Sequence, residues 1–185
     1  MIFTVGHSNR GWSEFLQLLI SFGIEHLVDV RTIPRSRHNP QFNQDSLPLA
    51  LQQAGIRYTH LAELGGLRKP RPDSINKGWQ NESFRGYADY MQTPEFEAGL
   101  EKAIQISENE KIAIMCAEAL PWRCHRSLIG DALAIRNFQV VDIIGPGKSQ
   151  PHRMTPFARV IGSNLVYPEP IEENASDEDQ NTTTG

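Results

Sequence analysis

The stretch Cys116–Arg126, "CAEALPWRCHR", holds both cysteines of the chain, one carboxylate, two arginines and a histidine within eleven residues. Thiols serve as nucleophiles or redox groups, carboxylates carry protons, and arginine forks bind phosphates and carboxylates. The apolar run "KIAIMC" precedes this stretch and an apolar helical pattern follows it, which indicates a loop between a strand and a helix. Ligand sites of open parallel sheets lie beyond the carboxyl ends of the strands, so we predict the functional site here.

Cys116 ends the predicted strand and is the candidate nucleophile. Pro121 can occupy the first turn of a helix over about Trp122–Arg136, whose positive end would point towards Cys116. Arg123 and Arg126 are three residues apart and would share one face of that turn. Such a field would lower the pKa of the thiol and attract an anion. Phosphatases with a catalytic cysteine have five residues between that cysteine and the arginine that binds phosphate. This chain has six residues between Cys116 and Arg123, so the spacing differs from that of those phosphatases. The alternative for Cys116 is a small buried core residue.

Glu118 and His7 are the candidate acid and base. Glu118 is the only carboxylate of the stretch, and a partly desolvated carboxyl group near arginines can have a shifted pKa. His7 lies in "VGHSNR", directly after the first predicted strand, where Ser8 adds a hydrogen-bonding group. The structural alternatives are an ion pair for Glu118 and a hydrogen-bonded loop position for His7, and the sequence leaves both open.

Several side chains are candidate ligands for an anionic substrate, and they come from three loops: Ser8, Arg31, Arg35, Arg123, His125 and Arg126. The segment "DVRTIPRSR" carries Arg31 and Arg35 at the end of the second predicted strand, where Asp29 could orient one of them. Between Arg31 and Arg85 nine bases face four acids, which favours an anionic small molecule or nucleic acid as partner. The alternative is a solvated surface whose arginines pair with the acids.

The two cysteines also suggest metal binding or redox chemistry. A metal site would use Cys116, Cys124 and His125 with His7 or His60, but structural zinc usually draws on ligand pairs two to four residues apart. We therefore predict no metal and no cofactor. A structural disulfide is not expected in a cytosolic chain of this length. A redox sensor stays open as an alternative, and it requires the two sulfurs to lie close together.

The apolar patterns predict an α/β domain. Strand-like runs end at Gly6, Arg31, Leu61, Cys116 and Ile144, and helical patterns separate most of them. Such alternation indicates a largely parallel sheet flanked by helices. Gly65–Glu82 is predicted to be a long loop. Two alternating runs about Gly162-Ser163 predict a small C-terminal β-hairpin.

Length and composition indicate one domain over residues 1–168, followed by an acidic tail. The chain has 185 residues and a formal net charge of −4. Residues 169–185 carry six acids and no base, and without them the chain has 18 basic and 16 acidic residues. We expect this tail to be disordered. Neither a signal peptide nor an apolar span of membrane length is evident, so we expect a cytoplasmic protein without membrane contact. The oligomeric state is not indicated.

Six segments together resemble the domain-of-unknown-function family 488: "TVGHSNR", "LVDVRTIPRSR", "LGGLR", "FRGYADYM", "MCAEALPWRCHR" and "TPFARV". The resemblance runs from about Ile2 to Tyr167. It implies an α/β sheet and marks the following positions as matches to the family's motifs: His7, Ser8, Arg31, Pro34, Arg35, Cys116, Glu118, Cys124, His125 and Arg126. It implies no activity, but it suggests that the residues at the strand ends belong to one site.

These observations lead to three hypotheses about function. The first is an enzyme, a hydrolase or transferase, that acts on a phosphate-bearing substrate such as a nucleotide or nucleic acid. In it the arginines hold the anion, Glu118 or His7 moves a proton, and Cys116 is an optional nucleophile. The second is a non-catalytic module that binds nucleic acid or a protein. The third is a thiol redox sensor that uses Cys116 and Cys124.

Overall fold

The structure is a computed structural model and describes residues 1–170. The expectation about the tail therefore lies outside the described residues, apart from Glu169 and Pro170. Thirteen helices and strands are described: β1 (Ile2–Gly6), α1 (Trp12–Ser21), β2 (His26–Asp29), α2 (Leu47–Gln53), β3 (Arg57–His60), α3 (Glu82–Tyr90), α4 (Pro94–Asn109), β4 (Ile112–Cys116), α5 (Arg126–Ala134), β5 (Val140–Gly145), β6 (Lys148–Pro151), β7 (Arg159–Ile161) and β8 (Asn164–Val166).

The predicted fold class is confirmed. Six strands form one sheet in the order β3-β2-β4-β1-β5-β6, in which the first five are parallel and β6 is antiparallel to β5. Strands β7 and β8 form the C-terminal hairpin, and Gly162 takes the left-handed φ of +63° that its tight turn requires. None of the helices described within residues 1–170 is long and apolar enough to cross a membrane.

Two hydrophobic clusters cover the two faces of the sheet. Alternate residues of β4 point to opposite faces, so Ile114 packs with helices α3, α4 and α5 while Met115 packs with α1 and α2. Every residue of β4 is buried, as expected for a parallel strand covered on both sides. Helix α1 leaves β1 on one face and α5 leaves β4 on the other. This divergence beside two neighbouring strands is typical of a ligand crevice in such sheets.

The helix predicted over about Trp122–Arg136 is wrong at its start. Pro121–Arg123 form a single 3-10 turn, and α5 begins only at Arg126. Cys124 between them has an extended backbone, with φ −141° and ψ 148°. The extended residue interrupts the helical hydrogen bonds. Arg123 and Arg126 therefore do not share a helical face: Arg123 is exposed and Arg126 is buried.

The long loop after β3 is held in place by a buried carboxylate. Asp89 of α3 accepts hydrogen bonds from the Ser74 hydroxyl (2.6 Å), the Asn76 amide (2.8 Å) and the Arg71 backbone N–H (2.8 Å). The side-chain oxygen of Asn76 in turn accepts from the backbone N–H of Tyr167. These bonds replace the regular pairing that the loop lacks. The basic loop is consequently attached to α3 and to the C-terminal segment.

A second buried network joins α5, β5 and the segment after β6. His152 lies between two carboxylates, with Nε2 2.9 Å from Asp131 and Nδ1 3.2 Å from Asp142. The Thr4 hydroxyl donates to Asp142, and the Tyr167 hydroxyl donates to Asp131. Burial lowers the pKa of His152, but the hydrogen bonds with both carboxylates outweigh burial and raise the pKa to about 9. His152 is therefore an imidazolium at neutral pH that offsets two buried negative charges.

Candidate functional site

The loops after β1 and β4 lie against each other at the carboxyl edge of the sheet. The backbone N–H of His7 donates to Cys116 O at 3.0 Å, and that of Ser8 donates to Ala117 O at 2.8 Å. A Cβ atom on Gly6 would stand 1.8 Å from Glu118 O, so only glycine permits this approach. Ser8 takes a left-handed φ of 53°, which is uncommon outside glycine. The end of β1 is thus shaped to receive the Cys116–Arg126 stretch.

Arg126 carries a guanidinium group that is almost fully buried, with 1% of its surface exposed. Its Nη1 atom donates to Val5 O at 2.6 Å and to Glu118 O at 3.1 Å, and its Nη2 atom donates to Ala119 O at 3.3 Å. Its Nε atom has no partner among the described residues. None of the salt bridges between described residues involves this arginine. A buried cation surrounded by carbonyl oxygens requires a negative charge nearby.

The Cys116 thiol is the group that can supply this charge. Its sulfur lies 2.9 Å from Arg126 Nη1 and 2.7 Å from the sulfur of Cys124. Burial raises the pKa of Cys116, but the hydrogen bond with Cys124 and the charge of Arg126 outweigh burial and lower the pKa from 9.0 to about 7. The adjacent Cys116 sulfur and burial raise the pKa of Cys124 well above its usual value. At neutral pH a large fraction of Cys116 is consequently thiolate, while Cys124 keeps its proton.

His125 lies beside this pair of sulfurs. Its Nε2 atom donates to Val30 O at 3.2 Å, which leaves Nδ1 as an acceptor 3.5 Å from the Cys124 sulfur. Burial is the largest cause that lowers the pKa of His125 from 6.5 to about 4. The ring is therefore neutral at physiological pH. Its Nδ1 atom faces the Cys124 sulfur, and the anion-binding role of His125 stays a prediction.

A second cluster surrounds Arg31 at the end of β2. Arg31 Nε and Nη2 donate to the two carboxylate oxygens of Asp29, at 2.9 and 2.6 Å, and Nη2 also donates to Phe42 O. Its Nη1 atom donates to His7 Nε2 at 3.2 Å. The Tyr58 hydroxyl donates to Asp29 at 2.9 Å. Arg31 is thus bound to the protein on most of its donors, and its positive charge is offset by Asp29.

His7 is buried against this cluster. Its Nδ1–H donates to Ser8 O at 2.7 Å, and its ring stacks on Phe42 with a centroid distance of 4.3 Å. Burial is the largest cause that lowers the pKa of His7 from 6.5 to about 4, and the charge of Arg31 lowers it as well. Both ring nitrogens have protein partners. The structure therefore gives His7 a role in holding the two loops together, and its proton-transfer role stays a prediction.

The remaining predicted residues lie at the surface of the same edge. Arg35, Glu118 and Arg123 are exposed, and Ser8 is half-buried with its hydroxyl 3.3 Å from the Asn9 side chain. The predicted set thus divides into a buried group, which includes Arg126 and Cys116, and an exposed group. A phosphate could reach the exposed arginines, whereas Arg126 and Arg31 already have partners inside the protein.

Cys124 enters the sequence predictions only through the metal and redox alternatives and the family resemblance, and the close approach at Gly6 is not predicted at all. The proximity of Cys124 to Cys116 depends on the extended residue between two helical turns, and local sequence patterns do not show it. His60, a candidate metal ligand, instead bonds Arg31 O through Nε2 at 2.7 Å. Within residues 1–170 no group of three histidine, cysteine or carboxylate side chains is placed to hold a metal ion.

The sequence model of one family, described as "Domain of unknown function DUF488", matches residues 11–133. That range contains Arg31, Arg35 and the whole stretch Cys116–Arg126, and it begins after His7 and Ser8. No curated protein and no solved structure matches the chain.

Proposed function

This chain belongs to the DUF488 family, whose description states no activity, and we propose that its function is reversible oxidation of the Cys116–Cys124 pair. The observation that carries the proposal is the buried Arg126 guanidinium, whose potential anionic partner is the Cys116 sulfur at 2.9 Å. A thiolate is the reactive form of cysteine in redox chemistry. A second thiol in contact with it is placed to close a disulfide.

The oxidation balances with a hydroperoxide as the oxidant. The Cys116 thiolate attacks the peroxide oxygen, which breaks the O–O bond and gives a sulfenic acid on Cys116 and, for hydrogen peroxide, one water after protonation. The Cys124 thiol then attacks the Cys116 sulfur and gives up its proton. The S–O bond breaks, the sulfenic oxygen leaves as a second water with that proton, and the disulfide forms. A thiol reductant reverses the reaction by exchange.

The test is oxidation of the full chain with hydrogen peroxide, followed by mass spectrometry. We expect the intact mass to fall by two hydrogen atoms, a Cys116–Cys124 peptide to appear, and dithiothreitol to reverse both changes. In the Cys124→Ser variant, where no disulfide can form, we expect a sulfenic acid on Cys116 that reacts with dimedone. In Cys116→Ser we expect a weaker dimedone adduct on Cys124, because burial still raises the pKa of that thiol. Two free thiols after oxidation, or disulfides only between chains, would contradict the proposal.

An enzyme acting on a phosphate-bearing substrate is a second proposal, supported by the exposed group at the same edge. Neither Arg35 nor Arg123 forms a salt bridge with another described residue, so both are available to an anion. Glu118 is exposed five positions before Arg123 in the chain, and it would act as the acid or base because His7 has a partner on each ring nitrogen.

The test of this second proposal is hydrolysis of nucleotides by the full chain. We expect Glu118→Gln to lower kcat by about 100-fold, since a positioned acid or base contributes about that factor. Asp45→Asn, which changes another exposed acid, is the control and should leave kcat unchanged. Equal turnover by Glu118→Gln and the unaltered chain would exclude Glu118 as the proton carrier, and absence of turnover would remove the enzyme proposal.

A further inference from the structure

Three loops at the carboxyl edge of the sheet each expose a large apolar side chain. Ile33 after β2 is 68% exposed, Leu67 after β3 is 81% exposed, and Trp122 after β4 is 54% exposed. We call the loop segments 33–37, 67–69 and 122–123 the apolar-basic face. Large apolar groups are rarely left in water together without a function, because their burial against a partner is favourable.

Contacts among the loops bring these segments together. The Thr32 hydroxyl donates to Gly66 O at 2.9 Å, which ties the first loop to the second. A Cβ atom on Gly66 would stand 2.9 Å from the His125 ring, which ties the second loop to the one that carries Trp122. Each exposed apolar residue is therefore one to three positions away from a contact with a neighbouring loop. The three loops that carry the apolar-basic face are therefore tied to one another at this edge of the sheet.

Leu67 is held in a strained conformation. Its φ is 59°, in the left-handed region that side chains with a Cβ rarely adopt. The strain keeps an aliphatic side chain in solvent, where it gains no packing. Strained backbone of this kind persists where the surrounding structure holds it, and it clusters at binding and active sites. Leu67 is thus a second, independent indication of a binding surface.

In the same three segments, arginine or lysine side chains follow the apolar residue within a few positions: "IPRSR", "LRK" and "WR". Arg35, Arg37, Lys69 and Arg123 are exposed. None of these four bases pairs with a carboxylate in the part of the chain that the structure describes. Arg68 is fixed over the Tyr90 ring, with Cζ 3.6 Å from the centroid. Glu118 is the exposed acid nearest in sequence to Trp122. The face is therefore positive as well as apolar.

We propose that the apolar-basic face binds single-stranded nucleic acid. Trp122 and Leu67 would contact the nucleobases, and the neighbouring arginine and lysine side chains would contact the phosphates. A single strand alternates an apolar ring and an anion along its length, which matches the repeated order of apolar and basic side chains in the three loops. Stacking of bases on an exposed tryptophan, together with a cationic track for the backbone, is a general way to bind unpaired strands. This proposal is independent of the disulfide proposed above; it shares Arg35 and Arg123 with the proposed phosphate site but requires binding alone, without turnover.

The experiment is fluorescence anisotropy of labelled oligo(dT) and oligo(U), ~12 nucleotides long, titrated with the full chain at several salt concentrations. We expect binding that weakens steadily as salt increases, because phosphate contacts release counterions. Trp122→Ala should weaken binding about tenfold, and Trp122→Phe should restore most of it because a ring remains to stack. Arg123→Ala should weaken binding and lower its dependence on salt.

Leu67→Gly separates a binding role from a structural one. Glycine accepts the left-handed φ, so this variant should be as stable as the unaltered chain or more stable, while its affinity for the oligonucleotide falls. Asn137→Gly is the matched control, since Asn137 also has a positive φ of 63° but lies after α5, outside the three loops. Lys148→Ala and Ile161→Ala are controls for an exposed base and an exposed aliphatic side chain elsewhere, and we expect both to bind as the unaltered chain does.

Several results would overturn the proposal. Absence of oligonucleotide binding at low salt would do so, as would affinity that is unchanged in both Trp122→Ala and Leu67→Gly. Binding to vesicles of phosphatidylserine and phosphatidylcholine or to polyglutamate, with none to the oligonucleotides, would assign the face to a membrane or to an acidic peptide instead. Oxidation of the cysteines does not enter this experiment, so its failure and that of the disulfide proposal are distinguishable.

Discussion

Arg126→Met is expected to lower the free energy of unfolding by about 3 kcal/mol and to raise the pKa of the Cys116 thiol. Methionine approximates the volume of the arginine stem but removes the donors to Val5 O, Glu118 O and Ala119 O. It also removes the positive charge that stabilises the Cys116 thiolate. Urea unfolding measures the first effect, and the ultraviolet absorbance of the thiolate as a function of pH measures the second.

Arg123→Met is the matched control, because it makes the same change at an exposed arginine three residues earlier in the chain. We expect this variant to differ from the unaltered chain by less than about 0.5 kcal/mol. Arg126→Lys retains the charge and should keep the thiol pKa low even where stability falls. A thiolate titration that is identical in Arg126→Met and the unaltered chain would show that Arg126 does not activate Cys116.

The second large effect is expected for His152→Gln, and it depends on pH. The folded pKa of His152 is about 9 and its usual value is 6.5, so the folded state holds the proton more tightly than the unfolded state does. The stabilisation is therefore fully present below pH 6.5 and is lost as the pH rises through 9. Below pH 6.5 we expect His152→Gln to be less stable by about 3 kcal/mol, since Asp131 and Asp142 lose their shared counter-charge.

The measurement is urea unfolding of both chains below pH 6.5, between pH 6.5 and 9, and above pH 9. The difference in stability should shrink steadily across this range. His38→Gln, which changes an exposed histidine, is the control and should track the unaltered chain throughout. The opposing outcome is a free energy of unfolding of His152→Gln that differs from that of the unaltered chain by the same amount at every pH. That result would show that His152 stabilises the fold by packing and hydrogen bonds and not by its charge.

Periodicity predicted most of the fold because regular elements depend on neighbouring residues. The continuous apolar run of β4 and the turn at Gly162 are both local signals, and each is present in the structure. Strand β6, "KSQP", was not predicted. It is polar and lies at the edge of the sheet. Its sequence pattern does not indicate a strand, and its pairing with β5 holds it in the extended conformation.

The start of α5 could not be predicted because a tertiary contact decides it. The sequence of Pro121–Arg126 is compatible with one continuous helix, and a continuous helix would place Arg123 and Arg126 on one face. In the structure Cys124 is extended, its sulfur lies against Cys116, and the Arg126 guanidinium enters the interior through the same break. The contacts that Cys124 and Arg126 make with β1, with Cys116 and with the loop after β4 outweigh the local preference for helix.

The sequence by itself determined the α/β class, the edge of the sheet at which the polar residues gather, and the residue types available there. Those properties depend on the spacing of apolar residues along the sequence and on the order of helices and strands along the chain. Only the tertiary structure decided which arginines are buried and which are exposed, because that depends on contacts between residues far apart in sequence, such as Arg126 with Val5. The same packing brought the sulfurs of Cys116 and Cys124 to within 2.7 Å of each other, which the order of elements along the chain does not determine.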